Sequence, residues 1–400
     1  MRKLHPGGGT ASNHRGGLKM IGLFKSRRKT LIGLDIGSNV VKCIRLSAET
    51  DRPSITHFAM VPLPPEAIVD GEIMDRELVI QAVMDCAEQA GLPDEPVASA
   101  VSGRAVIVKK IVMDKMSHDD AREAIYWEAE QHVPFDIDDI SLDFQILRED
   151  IGANQMEMLL VAAKKDMILN HAELIRDAGF EPAVIDVASF ANQNAWEYTQ
   201  EELAQRMIDE HGGEANGEAG PEDADPLADQ GNGEFVALLD IGGGVTNVHI
   251  VKDGIPYFTR DLPIGASHFV EEFQKQLGLT YERAMSVAKG DTTDVNTQLL
   301  SEIVRTVGSD IYQGLEPSLS YLKTSGEAEG IDRIVLSGGG AKLPGLREYL
   351  ASCYDVISEM ADPLQALDYD PEIFGDHDPA ELSPLLTVGV GLALRKAVTS

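Results

Sequence analysis

Four hundred residues with 43% hydrophobic and 25% charged side chains suffice for two or three domains of ordinary size, each with a real core. The formal charge of −32 at pH 7 argues against nucleic acid or an anionic bilayer as the main partner, since either needs a basic face. Cys43, Cys86 and Cys353, far apart in the chain and set among apolar residues, read as buried thiols of a reducing compartment, not as bridges or metal ligands.

Residues 1–29 carry eight Lys or Arg and no acid, which leaves −40 for the remainder. Met20-Ile-Gly-Leu-Phe-Lys makes a natural beginning, so the first nineteen residues are expected to be disordered or an unused upstream start. Ile21, Leu23 and Phe24 followed by Lys25, Arg27, Arg28 and Lys29 suit peripheral contact with lipid headgroups; a solvated tail is the plainer reading.

Residues 31–46 read as two strands about a turn at Gly37, Ser38 and Asn39, with Asp35 just ahead of it. A strand near Ser54 to Val61 and a helix from Asp75 to Ala90 follow. In that helix Leu78, Val79, Ala82, Val83, Cys86 and Ala90 recur at helical spacing until Gly91 and Pro93 end it. Residues 97–170 form a separate module: strands over Val97 to Met113 broken at Ser102-Gly103-Arg104, a helix capped by Ser117 and running to His132, then Val133-Pro-Phe-Asp-Ile-Asp and the alternating Leu142-Asp-Phe-Gln-Ile-Leu.

A helix from Met167 to Ala178 and a strand from Pro182 to Val187 lead into a connecting segment from Ala188 to Ala195. From Met207 to Glu234 there are nine acids and no Lys or Arg. Such a stretch cannot bury enough apolar surface to offset its ordering entropy, so a disordered insertion is expected over 207–234. Residues 238–251 then repeat the hairpin plan: an apolar strand ending at Asp240, a turn at Gly242, Gly243 and Gly244, and a strand in which Thr246, Val248 and Ile250 alternate with Asn247, His249 and Val251. A third strand over Ile255 to Leu262, a helix through Leu277, and a helix-like run from Thr280 to Lys289 come next. Glu302 to Lys323 reads as a long helix. The strand Asp332 to Leu336 then meets Gly338, Gly339 and Gly340 before another helix, and Thr387 opens a terminal one.

Glycines in a hairpin tip leave no side chain to fend off a bulky anion, so backbone amides can converge on a phosphate. Asp240 beside that turn would stand where a magnesium ion or its waters need oxygen. One such turn is weak evidence, because an ordinary hairpin has the same composition. The chain carries it twice, with Asp35 matching Asp240 and Gly37 matching Gly242. There is no Gly-x-x-x-x-Gly-Lys-Ser/Thr string, so a P-loop does not account for the pattern.

This order of motifs, from Thr30 onward, resembles the two phosphate motifs and the adenosine motif of the actin-like ATPases, an α/β fold of duplicated ribonuclease H-like domains. The resemblance implies a first domain from 30–96 with 171–200 and 383–400, a second over 235–382, and 97–170 as an insertion. The string Glu128-Ala-Glu-Gln-His-Val-Pro-Phe-Asp-Ile-Asp is similar to the extra subdomain of the PilM family of type IV pilus assembly proteins; FtsA has a subdomain in the same place.

ATP and Mg2+ are the ligands this resemblance implies. Ser38, Asn39, Gly243, Gly244 and Thr246 would donate to phosphate, Asp35 and Asp240 would hold the metal through waters, and Gly338, Gly339 and Gly340 would border the adenine. Glu282 would take the ribose side with Lys289 as its basic partner, while Lys42 is a phosphate contact or a solvated strand lysine. Many PilM-like sequences carry a glutamate near the position of Ala188; its absence points to slow or no turnover, with Gln193 or Asn192 as substitutes. The partner implied is the cytoplasmic N-terminal tail of PilN, alongside other pilus platform proteins, at the cytoplasmic face of the inner membrane; homo-oligomerisation stays open. An FtsA-like filament-forming division protein and a small-molecule kinase are the competing readings.

Overall fold

The computed structural model describes residues 31–47, 52–69, 71–211, 233–326 and 328–395. The basic segment 1–29 and most of the acidic stretch 207–234 lie outside these residues.

Strands β1 (Ile32–Ile36), β2 (Val40–Ser47) and β3 (Ser54–Pro62) make an antiparallel meander. Helix α1 (Arg76–Ala90) is capped by Asp75, whose carboxylate accepts from the Leu78 amide, and closed by Gly91 in the left-handed region at φ 61°. It leads to β4 (Val97–Val101), which lies parallel to β1. The chain then leaves the sheet for a module of three antiparallel strands, β5 (Val106–Asp114), β6 (Ile140–Gly152) and β7 (Gln155–Lys164), with β7 in the middle. Helix α2 (His118–His132) packs Ala121, Ile125 and Ala129 against Met156, Met158 and Leu160 of that sheet. Helix α3 (Lys165–Asp177) brings the chain back to β8 (Pro182–Val187), parallel to β4.

Helix α4 (Ala188–His211) crosses to a second sheet and runs into the stretch expected to lack structure. That sheet holds β9 (Val236–Ile241), β10 (Thr246–Lys252), β11 (Ile255–Leu262), β12 (Arg333–Ser337) and β13 (Ile357–Met360). Its strand order and directions repeat the first sheet: a meander whose first strand is flanked on its other side by two parallel strands. Helices α5 (Ala266–Leu277), α6 (Tyr281–Ala288), α7 (Thr297–Ser325) and α8 (Leu346–Tyr354) belong to this half. Its core joins Phe269, Phe273, Ile303, Ile311 and Leu315 to Leu239 and Ile250 of the sheet. The two halves are therefore one fold used twice.

Two expected boundaries move. Residues 97–101 are a strand of the first sheet, so the module begins only after Val101. Residues 364–382 also belong to the first half: β14 (Asp368–Tyr369) pairs with β3, and Leu364, Leu367, Phe374 and Leu382 pack on Ile44, Leu46 and Phe58. The last helix, α9 (Thr387–Ala393), is buried at every residue between β1 and α4. Gly391 lies so close to the Ala191 carbonyl of α4 that no side chain fits between the two backbones. Cys43 on β2 and Cys86 on α1 meet in the core as free thiols, sulfurs 3.0 Å apart.

Candidate functional site

The two hairpins close in the same way. The Gly37 amide donates to the Val40 carbonyl (3.1 Å), and the Gly242 amide to the Val245 carbonyl (2.9 Å). Among the described residues, the amides of Ser38, Asn39, Gly243 and Gly244 at the two tips donate to no backbone group. The tips meet. A Cβ placed on Gly243 would lie 2.6 Å from the Asn39 side-chain oxygen, so glycine at 243 lets the first hairpin rest on the second. The second turn is held from below by α5, whose Ala266 and Ser267 amides donate to the Gly242 and Gly243 carbonyls (both 2.9 Å).

The tips form one end of a cleft of about 1740 Å³. Asp35, Gly37, Ser38, Asn39 and Lys42 line it from the first half; Asp240, Gly242, Gly243, Lys289, Gly338 and Gly339 line it from the second. From the tips it runs to the base of the module, where Arg104, Phe135, Lys164 and Met167 line it.

Lys42 is only 8% exposed, which removes the solvated-lysine reading. Its ammonium pairs with Asp35 (2.6 Å) and donates to the Leu385 carbonyl (2.9 Å). Asp240 stands opposite. Burial is the main cause that pushes its carboxyl up to about 6; Lys42 and the Ser337 hydroxyl pull the other way, and Asp35 and Asp261 push further up. The site thus holds a buried acid whose charge Lys42 compensates only in part.

Strand register explains which side chains gather there. Ser337, Asp240, Asn247 and Asp261 face one another in turn across four adjacent strands. Ser337 donates to Asp240 (3.2 Å), and the Asn192 amide on α4 donates to Ser337 (3.2 Å). Asn247 donates to Asp261 (2.6 Å), which also accepts from the Gly103 amide at the mouth of the module. Asp261 carries a raised pKa, chiefly from burial. Sequence reading missed Asp261 and Ser337: the first needs the register of the next hairpin, and the second a parallel pairing between strands far apart in the chain.

Four expected ligands do not face the cleft. Thr246 is fully buried and its hydroxyl donates to the Ile264 carbonyl (2.7 Å), because strand alternation sends it to the face opposite Asn247. Gly340 is packed on Ile241, and Gly244 is not among the residues that line the cleft. Glu282 lies exposed on the wrong side of α6, whose cleft face is Tyr281, Met285, Ala288 and Lys289 at helical spacing. Gln193 is committed elsewhere: its amide donates to Glu197 (2.6 Å) and the Gly254 carbonyl (3.0 Å), while its oxygen accepts from His249 (2.7 Å). His249 is fully buried and desolvation drops its pKa to about 3, so it stays neutral. Ala188 does line the cleft, at the head of α4.

The family model for the type IV pilus assembly protein PilM matches residues 33–211 and 218–397. The chain belongs to the PilM family. Among solved structures, one described as a PilM–PilN type IV pilus biogenesis complex is 26% identical, with a TM-score of 0.73 over 93% of this chain and 100% of that one. EutJ, an ethanolamine utilization protein of Carboxydothermus hydrogenoformans, is 14% identical at a TM-score of 0.47, covering 91% of this chain and 89% of its own. MreB5 of Spiroplasma citri bound to AMPPNP is 12% identical at 0.48, covering 92% and 95%. By its family and its likeness to the PilM–PilN structure the fold is that of the actin-like ATPases, and the family match does not favour the division-protein reading. Among the described residues no helix is long and apolar enough to cross a membrane.

Proposed function

We propose that this PilM-family protein is an ATP-binding scaffold at the cytoplasmic face of the inner membrane, which holds the cytoplasmic N-terminal tail of PilN when nucleotide closes the cleft. The observation that carries the reading is the contact of Asn39 with Gly243, which sets two glycine-bearing tips and their undonated amides side by side. Amides of Ser38, Asn39 and Gly243 would bind the phosphates, with Lys42 within the same wall.

A divalent cation fits the donor set. Asp35 and Asp240 both line the cleft, and burial raises the pKa of Asp240, so a bound cation would stabilise its ionised form. Magnesium would supply that charge and neutralise the phosphates. Gly339 leaves open space where a planar base can approach the backbone, and Tyr281 and Met285 offer an apolar wall with Lys289 at its edge. With Glu282 facing outward, the ribose contact falls to the cleft face of α6.

The cavity exceeds the roughly 300–1,000 Å³ of a small-molecule pocket, and its far end reaches Phe135, Lys164 and Arg104 of the module. The PilN tail is assigned to that end. Asp261 joins the two ends, since it lines the cleft and holds the Gly103 amide from which the module springs. Closure of the tips on a triphosphate would therefore fix the module's attitude and, with it, the tail groove.

Titrating a PilN tail peptide into the full chain with and without magnesium and ATP tests this. Binding strengthened by nucleotide is the expected result. Equal affinity in both conditions removes the gating and leaves a passive scaffold; no tail binding in either overturns the assignment.

A further inference from the structure

The two hairpins share one register and differ at one place in it. Asp35 on β1 faces Lys42 on β2, and Asp240 on β9 faces Asn247 on β10. On the next strand Asn247 faces Asp261, whereas Lys42 faces Met60. Asn247 therefore turns to Asp261 (2.6 Å), and Lys42, with no acid on that side, turns its ammonium onto Asp35 (2.6 Å). Asp240, on the opposite wall, feels the same ammonium. One cation thus serves both carboxylates, and the three groups together leave a single negative charge. At 8% exposure that ammonium is little screened by salt.

Its anchorage limits where it can go. Of the ammonium's three donors, one is given to Asp35 and one to the Leu385 carbonyl (2.9 Å). The neighbouring Pro384 carbonyl accepts from the Gly338 amide of the second half (2.8 Å). Lys42 is thereby tied to a peptide that the second half also holds, and Lys42, Leu385 and Gly338 all line the cleft. The ammonium can turn from Asp35 to a phosphate without leaving the cleft floor. Resting on the ATP reading, we propose that Lys42 is a gate on the metal site: as an internal counter-ion it occupies Asp35, so that a divalent cation is held only together with a nucleotide whose phosphates draw the ammonium off. A free divalent cation meets carboxylates already half neutralised and a like charge beside them. Phosphate oxygens bring negative charge of their own, compete for the ammonium and release Asp35. Lys42 is a positioning residue in this scheme, acting on the metal through Asp35.

The test is equilibrium dialysis of the full chain against Mn2+, a magnesium surrogate, with and without ATP, counting metal and nucleotide retained on the protein. Asp35→Asn combined with Lys42→Met removes both partners and gives the background of the acidic surface. Without ATP, Lys42→Met is expected to hold Mn2+ at least about ten-fold more tightly than the parent, and Lys42→Arg, which keeps the charge, to behave as the parent does. With ATP the parent is expected to retain Mn2+ above that background, and without ATP none. A folded Lys42→Met protein, checked by circular dichroism, that holds Mn2+ no more tightly than the parent overturns the proposal. If Lys42→Met loses its fold, the parent decides: equal Mn2+ with and without ATP, while ATP itself is retained, overturns it too. Failure of the nucleotide reading shows separately, as a parent that retains no ATP.

Discussion

Asp240→Asn should stabilise the nucleotide-free protein while removing its affinity for magnesium nucleotide. The folded carboxyl titrates at about 6 against an ordinary value of 3.8, so the folded state holds the proton more tightly than the unfolded one. Its contribution to stability is fully present below pH 3.8 and is lost as pH rises through 6. About two pH units at 1.36 kcal/mol each make the ionised carboxylate a cost of about 3 kcal/mol at neutral pH. Asparagine is nearly the same size, can still accept from Ser337, and never bears that charge. The variant should match the parent near pH 4 and melt about 6–12 °C higher near pH 7.5, at about 2–4 °C per kcal/mol for a domain of this size. His171 and His249 change stability in the same pH range, but both are present in both chains and cancel in the difference. The assay is thermal melting without nucleotide across that range, paired with nucleotide binding in magnesium. An Asp240→Asn protein no more stable than the parent at neutral pH, or one whose advantage does not depend on pH, would refute the account of this site.

Gly243→Val should lower nucleotide affinity at least about ten-fold, because its side chain would strike Asn39; Gly243→Ala combined with Asn39→Gly should recover most of the affinity, measured with a fluorescent ATP analogue. Asn192→Ala releases Ser337 from α4 and should weaken magnesium-nucleotide binding about ten-fold, close to one charge-assisted hydrogen bond, without altering the fold by circular dichroism. His171 is buried, its ring donates to Ser99 (2.9 Å), and desolvation drops its pKa to about 4. Its depressed value makes the folded protein lose about 3 kcal/mol as pH falls from 6.5 to 4, and His171→Gln should flatten acid denaturation over that interval.

What could be read from the chain was what is local. Each hairpin is specified by its own turn, and α1 by Asp75, a helical apolar stripe and Gly91, so these elements stand where spacing placed them. Pairing partners are not local. Val97–Val101 alternates identically whether it pairs with β1 or with the module, and only the long-range register assigns it to the first sheet. Residues 364–382 follow the second half in sequence yet pack on the first for the same reason. Among the candidate ligands, Thr246 was open to correction from the sequence itself: it shares the parity of the apolar Val248 and Ile250, whereas the polar Asn247 and His249 share the other. Glu282 failed on helical phase, since one residue is about 100° of turn and Tyr281 takes the cleft side. Ser337 and Asp261 became visible only once four strands were aligned.

The placement of α9 bears on how the protein is made. Its residues, buried between β1 and α4 with Gly391 against the Ala191 backbone, follow every strand and helix of the second half in the chain. A nascent polypeptide on the ribosome can assemble the module and the second half while the sheet begun by β1 still waits for its last wall. The half that is translated first is thus the half that is finished last, and stalled or prematurely terminated synthesis would leave that sheet open along one whole side.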